Sequence, residues 1–196
     1  MTTNTHVVAY DSEGNGKAAR LLWTLDVIGH TGFSLLNGGL QAWVNEVHLT
    51  EPGINRPPHG GYKVTRLPHA IAAKSYIRAR LGDPNVVILD VRTPAEYSGQ
   101  DLRAARGGHI PGAVNMDWTL TMNRGRNLRI KPENELHAML QDMGITPDKE
   151  VIAHCQTHHR SAHTYIVLKS LGYRRLRGYD GSWSEWGNDP ELPIES

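Results

Sequence analysis

Cysteine is almost absent from this chain of 196 residues, in which Cys155 is the only one. An internal disulfide is therefore excluded, and a reducing, cytoplasmic location is the simplest interpretation. No apolar stretch is long enough to cross a bilayer, since a run such as residues 86–89 is far too short. Residues 1–6 lack both the basic region and the apolar core of a secretory signal. Neither a membrane partner nor export is predicted.

An excess of charge of one sign is also missing, because 21 basic and 20 acidic side chains leave a formal net charge of +1. This balance gives no general electrostatic reason to expect nucleic-acid binding. Hydrophobic residues make up 39% of the chain and charged residues 21%, which is typical of a globular protein. With a single thiol, the surroundings of Cys155 are the first place to look for chemistry.

Two parts of the chain follow the same order of features. Residues 7–11 (VVAYD) match residues 151–155 (VIAHC), each a short apolar strand that ends in a polar residue. Each is followed by a polar loop, a helical pattern closed by glycine, a second apolar stretch, a turn and a tryptophan. The helix and the tryptophan are 17–28 and Trp43 in the first copy, and 160–171 and Trp186 in the second. We expect both tryptophans to pack under the sheet.

Only the second copy is preceded by further α/β pattern. Its predicted elements are helices over 70–81 and 133–143 and a strand over 86–90. Residues 51–61, rich in proline and glycine, read as a linker. We therefore predict the rear half of one domain at 1–50, a linker at 51–61 and a complete domain at 62–196. Alternating strands and helices indicate an α/β fold with a mainly parallel sheet.

Cys155 lies where a buried strand gives way to a loop, just before a helix that begins near Arg160. Ligands bind at the carboxyl ends of strands in such sheets, and helix N-termini attract anions. Free amides, the helix dipole and the charge of Arg160 all favour thiolate over thiol. The loop residues Gln156, Thr157, His158 and His159 can turn their amides toward the sulfur and hold an anionic substrate. An inert buried cysteine is the alternative, but its flanks would be apolar rather than polar.

Several motifs together carry a family resemblance. They are VILDVRTPAEY at 87–97, GHIPGAVN at 108–115, HCQTHHRS at 154–161, LGY at 171–173 and YDG at 179–181. In this order and spacing, residues 62–196 resemble the rhodanese family of sulfurtransferases, whose fold is a parallel sheet flanked by helices. The first copy resembles the rear half of the non-catalytic first domain found in two-domain members.

The resemblance implies that Cys155 takes a sulfane sulfur from thiosulfate or a related donor and passes it to cyanide or a thiol. Arg160 matches the residue that closes the active loop, and Gln156 to His159 match its substrate contacts. Asp11 stands at the nucleophile position of the first copy, which should therefore be catalytically silent. No cofactor is implied.

Three further residues, Asp90, Arg92 and His109, are expected to support the pocket by bracing neighbouring loops. Four histidines near Cys155 raise the question of a metal site: His154, His158, His159 and His163. No glutamate follows His159 as a His-Glu-x-x-His motif requires. We expect anion contacts from the loop histidines and no metal.

Glu96 occupies a place where members specialised for thiosulfate or mercaptopyruvate commonly carry arginine. A carboxylate facing the pocket would repel a dianion. The resemblance therefore implies weak thiosulfate activity, with a KM that falls as the loop histidines protonate toward pH 6.

Two other functions are open. A cysteine phosphatase of related fold has one more residue between Cys and Arg than residues 156–159 provide here. The tighter ring suits a sulfane sulfur better than a phosphate. A non-enzymatic sulfur-carrier or regulatory module is the second alternative, although Cys155 is intact. The incomplete first copy would leave apolar faces uncovered, which favours packing against the complete domain or a homodimer.

Overall fold

The computed structural model describes residues 1–56, 60–65 and 68–196. The strands are β1 (Val7–Ala9), β2 (Phe33–Leu35), β3 (Val86–Asp90), β4 (Val114–Asn115), β5 (Met122–Asn123), β6 (Arg129–Ile130), β7 (Glu150–His154) and β8 (Leu176–Gly178). The helices are α1 (Gly16–Val27), α2 (Gly39–Asn45), α3 (Lys74–Arg78), α4 (Pro94–Tyr97), α5 (Glu133–Asp142), α6 (Arg160–Ser170) and α7 (Ser182–Trp186). The predicted strands, and the predicted helices over 17–28, 133–143 and 160–171, are confirmed to within one or two residues.

The central sheet has four parallel strands in the order β4-β3-β7-β8. Strands β3 and β7 pair in register from Val86 and Glu150 to Asp90 and His154. Both strands are buried over nearly their whole length, which explains why each reads as a continuous apolar run. The predicted parallel sheet flanked by helices is confirmed. Since β3 and β7 run in the same direction, their ends bring Asp90 and His154 to the same edge of the sheet.

Strands β1 and β2 form a separate parallel pair. Helix α1, which follows β1, packs along α6. The buried Asp26 of α1 accepts hydrogen bonds from Tyr165 Oη at 2.6 Å and Lys169 Nζ at 3.0 Å, both on α6. Leu22 and Trp23 of α1 belong to the same core as one face of the central sheet. The first fifty residues therefore pack against the second part of the chain.

One predicted helix is wrong in its extent, because α3 covers only Lys74–Arg78 of the expected residues 70–81. Ahead of it, Ile71 bridges to Gly178, and the amide of Ala72 donates to the Gly178 carbonyl at 3.0 Å. Pairing with the edge of the sheet overrides the local helical preference here.

The tryptophan prediction holds for Trp186, which is fully buried, and is wrong for Trp43, which is 37% exposed. The Trp43 indole donates to the Leu49 carbonyl at 2.9 Å. Because the sheet beside α2 has only two strands, it offers too little surface to cover this ring.

Residues 51–56 and 60–61 form neither helix nor strand, and residues 57–59 of the predicted linker lie outside the described residues. Among the helices that the structure describes, none is both long and apolar enough to span a membrane.

Candidate active site

Cys155 directly follows β7, and its side chain is almost completely buried, with 1% of the residue exposed. Its carbonyl accepts a hydrogen bond from the Trp183 amide at 2.9 Å. Its amide donates to Ser182 Oγ at 3.4 Å, and Ser182 Oγ in turn donates to the Tyr179 carbonyl at 2.8 Å. The turn after β8 therefore fixes the backbone of Cys155 through these hydrogen bonds.

The loop between Cys155 and α6 carries a run of unpaired amides. In the part of the chain that the structure describes, no group accepts a hydrogen bond from the amides of residues 156–161. His159 precedes α6 without a side-chain cap. Unpaired amides at the start of a helix attract anions, both as donors and through the helix dipole. The arrangement can hold a negatively charged sulfur species beside Cys155.

The loop after β1 holds an internal anion in the corresponding place. The Asp11 carboxylate accepts hydrogen bonds from four loop and helix amides, those of Glu13, Asn15, Lys17 and Ala18, at 2.7–3.0 Å. Burial alone would raise the pKa of Asp11. The four hydrogen bonds together outweigh burial, so the pKa of Asp11 lies below its usual value. The Leu40 amide donates to the Asp11 carbonyl as Trp183 does to Cys155. In this loop the amides are already satisfied by the chain itself.

Arg160, the first residue of α6, makes a bidentate ion pair with Glu96. Its Nη1 lies 2.6 Å from Glu96 Oε2, and its Nη2 lies 2.8 Å from Oε1. The carboxylate, and more weakly Cys155, raise the pKa of Arg160 above its ordinary value. Burial alone would raise the pKa of Glu96, but the bonds from Arg160 and Thr93 lower it to about 2. The sequence predicts that the Glu96 carboxylate repels an anionic donor directly. In the structure this carboxylate pairs with Arg160 and neutralises its charge instead.

His158 points into the protein rather than toward the loop. The residue is fully buried, with Nδ1 2.7 Å from Ser161 Oγ and the ring centroid 4.4 Å from that of Trp23. A Cβ on Gly178 would overlap the imidazole, so this contact requires glycine at 178. His158 has a φ of 61°, in the left-handed region that favours glycine. Its backbone shapes the loop, and its imidazole is turned away from it.

The other loop residues lie nearer the surface. His159 is exposed, and its Nδ1 lies 3.3 Å from Thr157 Oγ1. Gln156 Nε2 donates to the Arg103 carbonyl at 2.9 Å. Arg20 of α1 donates to the Thr157 carbonyl at 3.2 Å, so the first part of the chain also contacts this loop.

Asp90 and Arg92 form a fully buried ion pair at the end of β3. Arg92 Nη2 lies 2.6 Å from Asp90 Oδ2, and the same nitrogen donates to the Gly108 carbonyl at 2.8 Å. The guanidinium also lies over the Trp183 ring, 4.4 Å from its centroid. The pair therefore links β3, the loop at Gly108 and the helix that supports Cys155.

His109 lies in the loop that Arg92 anchors. Its ring stacks on Tyr97 with 3.6 Å between the centroids, and its Nδ1 lies 3.0 Å from the Tyr97 carbonyl. His109 also forms a β-bridge with Glu195. These contacts tie α4, which carries Glu96, to the C-terminal residues.

Three buried histidines surround the cysteine strand and loop. Burial lowers the pKa of His154, lowers that of His158 well below its usual value and lowers that of His163 to about 4. The direction for His158 runs against the expected gain of positive charge at this residue as the pH falls toward 6. Among the described residues, no three His, Cys, Asp or Glu side chains are grouped so that they could hold a metal ion.

The lowered pKa of His163 predicts acid sensitivity. The unfolded chain protonates this group near 6.5 and the folded protein only near 4, so the stability it confers is complete above 6.5 and is lost as pH falls toward 4. We expect a loss of about 2 kcal/mol between neutral pH and pH 5. His163→Phe keeps a ring against Trp118 and should lose less over that range in urea unfolding at both pH values. Equal losses in both proteins would contradict this assignment.

Comparison with known proteins identifies the fold. Residues 73–189 match the family model of the rhodanese-like domain. The chain belongs to the rhodanese family. It is 48% identical over 188 residues to the thiosulfate sulfurtransferase of Pseudomonas aeruginosa, covering 96% of this chain and 69% of that protein. The sulfur carrier protein TtuD of Thermus thermophilus is 36% identical, with 99% of this chain and 72% of that protein aligned.

A solved structure of similar fold agrees with this architecture. The anaerobic ergothioneine biosynthesis enzyme of Chlorobium limicola, in complex with trimethyl histidine, superposes with a TM-score of 0.84 at 25% identity. The match covers all of this chain and 52% of that chain, so this chain spans about half its length. Cys155, Arg160 and the loop between them all lie inside the matched rhodanese region.

Proposed function

We propose that this protein is a sulfurtransferase that carries sulfane sulfur as a persulfide on Cys155. The observation that supports this function best is the single cysteine at the carboxyl edge of a parallel sheet, followed by a loop of unpaired amides. The high sequence identity of this chain to a thiosulfate sulfurtransferase supports thiosulfate as the donor. The small partners are then a sulfur donor and a nucleophilic acceptor such as cyanide or a thiol.

The cycle has two displacements. The Cys155 thiolate attacks the outer sulfur of thiosulfate, a new S–S bond forms, and sulfite leaves with the electron pair of the broken S–S bond. Cyanide then attacks the outer persulfide sulfur, thiocyanate leaves, and the thiolate is regenerated. The amides of residues 156–161 stabilise the charge on the donor and on the persulfide. In this scheme Gln156, Thr157 and His159 contact the substrate beside Cys155, and His158 contributes its backbone.

The support for Arg160 is its interaction with Cys155, which adds positive charge beside the thiolate. Asp90, Arg92 and His109 would act by holding the loops around the cysteine, not by touching the substrate. A phosphatase is less well supported, because the guanidinium fork that would bind a phosphate is occupied by Glu96.

The direct test is mass spectrometry of the intact protein after incubation with thiosulfate. We expect one added sulfur atom, located on Cys155 and removed by cyanide with stoichiometric release of thiocyanate. Protein alkylated at Cys155 beforehand is the control. If thiosulfate leaves the mass of the unblocked protein unchanged, the proposed function is wrong.

A sulfur-carrier role is the second candidate, and the similarity to TtuD favours it. Here the persulfide passes to a protein thiol instead of cyanide. Adding a reduced acceptor protein to the persulfidated chain and following the sulfur by mass spectrometry separates the two roles.

The domain organisation is also part of the proposal. We infer that residues 1–50 are a catalytically silent rhodanese-like half-domain. Asp11 lies at the position that corresponds to Cys155, and its carboxylate accepts hydrogen bonds from the amides that follow it in the chain. The lone cysteine supports a reducing, cytoplasmic location. Val8 on β1 and Tyr10 directly after it are each 56% exposed, which supports a homodimer. Light scattering that shows only monomer at high concentration would exclude that dimer.

A further inference from the structure

The contact between Glu96 and Arg160 joins residues that are far apart in the sequence. Glu96 is held by its own helix, because its Oε2 accepts hydrogen bonds from both the amide and the hydroxyl of Thr93 at 3.1 Å. The Glu96 amide in turn donates to Thr93 Oγ1 at 3.2 Å, and this bond together with the one from the Thr93 amide forms a capping box at the start of α4. Glu96 is only 3% exposed, and Thr93 holds its carboxylate in place independently of Arg160.

This placement leaves Arg160 little freedom. Both terminal nitrogens of the guanidinium are bound to Glu96, so Arg160 cannot also grip a donor with the same fork. The charge that Arg160 brings to Cys155 is opposed by the carboxylate 2.6 Å from its Nη1. With this fork occupied, the amides of the loop are the principal hydrogen-bond donors left for the anionic donor.

We propose that Glu96 determines which donors the site prefers, by neutralising Arg160 and so withholding a full positive charge from dianionic donors. This inference rests on the proposed sulfurtransferase function. Glu96 touches Arg160 and not the reacting atoms, so it is a positioning residue. Its effect should appear in the KM for a donor and should grow with the donor's negative charge.

Glu96→Gln tests the inference, because glutamine keeps an acceptor for Thr93 and is accepted in a capping box, while the negative charge is removed. We expect the KM for thiosulfate, a dianion, to fall about tenfold and that for methanethiosulfonate, a monoanion, about threefold. The kcat values should stay within about twofold, since only binding of the charged donor changes.

Asp101→Asn is the matched control. Asp101 is an exposed carboxylate in a similar bidentate pair with Arg103, and Arg103 interacts electrostatically with both Glu96 and Arg160. Removing this charge should leave the preference between the two donors unchanged. If Glu96→Gln changes that preference no more than Asp101→Asn does, or abolishes turnover with both donors while folded, the inference is wrong.

Two further measurements keep the test independent of folding and of turnover. In the unaltered protein, the neutralised site should make the KM for thiosulfate nearly insensitive to salt, and a rise above about tenfold between low and physiological ionic strength would overturn the inference. Calorimetry of thiosulfate binding to Cys155→Ser, with and without Glu96→Gln, should show about tenfold tighter binding in the double variant. Unchanged binding overturns the inference even where sulfur transfer is established. Failure of sulfur uptake by the unaltered protein instead overturns the proposed function alone.

Discussion

Cys155→Ser should reduce thiosulfate:cyanide turnover by roughly a thousandfold or more, because the nucleophile is lost and no other cysteine exists to replace it. A serine hydroxyl fills nearly the same space but forms no stable persulfide. The neighbouring backbone bonds to Trp183 and Ser182 do not involve the thiol, so the loop should keep its shape.

The measurement is steady-state production of thiocyanate, together with urea unfolding of both proteins. Thiosulfate binding, followed by calorimetry, should survive in the variant, because the loop amides that hold the anion are unchanged. A folded Cys155→Ser protein that still transfers sulfur at more than a trace rate would disprove the persulfide mechanism at this residue.

Asp90→Ala should destabilise the fold by about 3–5 kcal/mol, because it leaves the Arg92 charge buried without its partner. Arg92 is 1% exposed, and among the described residues the Gly108 carbonyl is the one hydrogen-bond acceptor that its guanidinium would keep, beside the Trp183 ring. For a chain of this size, that loss corresponds to a Tm lower by roughly 10 °C.

The chain offers an internal control for this experiment. Asp101 and Arg103 repeat the same Asp-x-Arg spacing and form a bidentate pair with a shortest distance of 2.8 Å, but their side chains are 40% and 57% exposed. Asp101→Ala should therefore cost less than about 1 kcal/mol. Similar losses in the two variants, measured by urea unfolding, would show that burial of Arg92 is not what makes its ion pair important.

Local pattern was sufficient for the main elements of this fold. The apolar runs at β3 and β7 and the helices closed by Gly29 and Gly172 can be read from the sequence, because each depends on neighbours along the chain. The single cysteine between β7 and α6 is equally visible. The family motifs then add the reaction that such a loop performs.

Contacts between distant residues could not be read in this way. Glu96 and Arg160 are 64 positions apart, and nothing in either local motif shows that they pair. The direction of the His158 ring depends on Trp23 and on the absence of a side chain at Gly178. The shortened α3 has the same cause, since Ile71 is drawn to the edge of β8.

Helix α1 also bears on how far the catalytic part can be moved as a unit. Arg20 and Trp23 hold the Thr157–His158 stretch from outside the rhodanese match. A chain cut after the linker would leave the His158 imidazole uncovered, and Tyr165 would lose its buried acceptor, Asp26. Grafting the loop into another protein would therefore require α1 to travel with it. The smallest unit that can carry the active loop therefore includes α1 as well as residues 62–196.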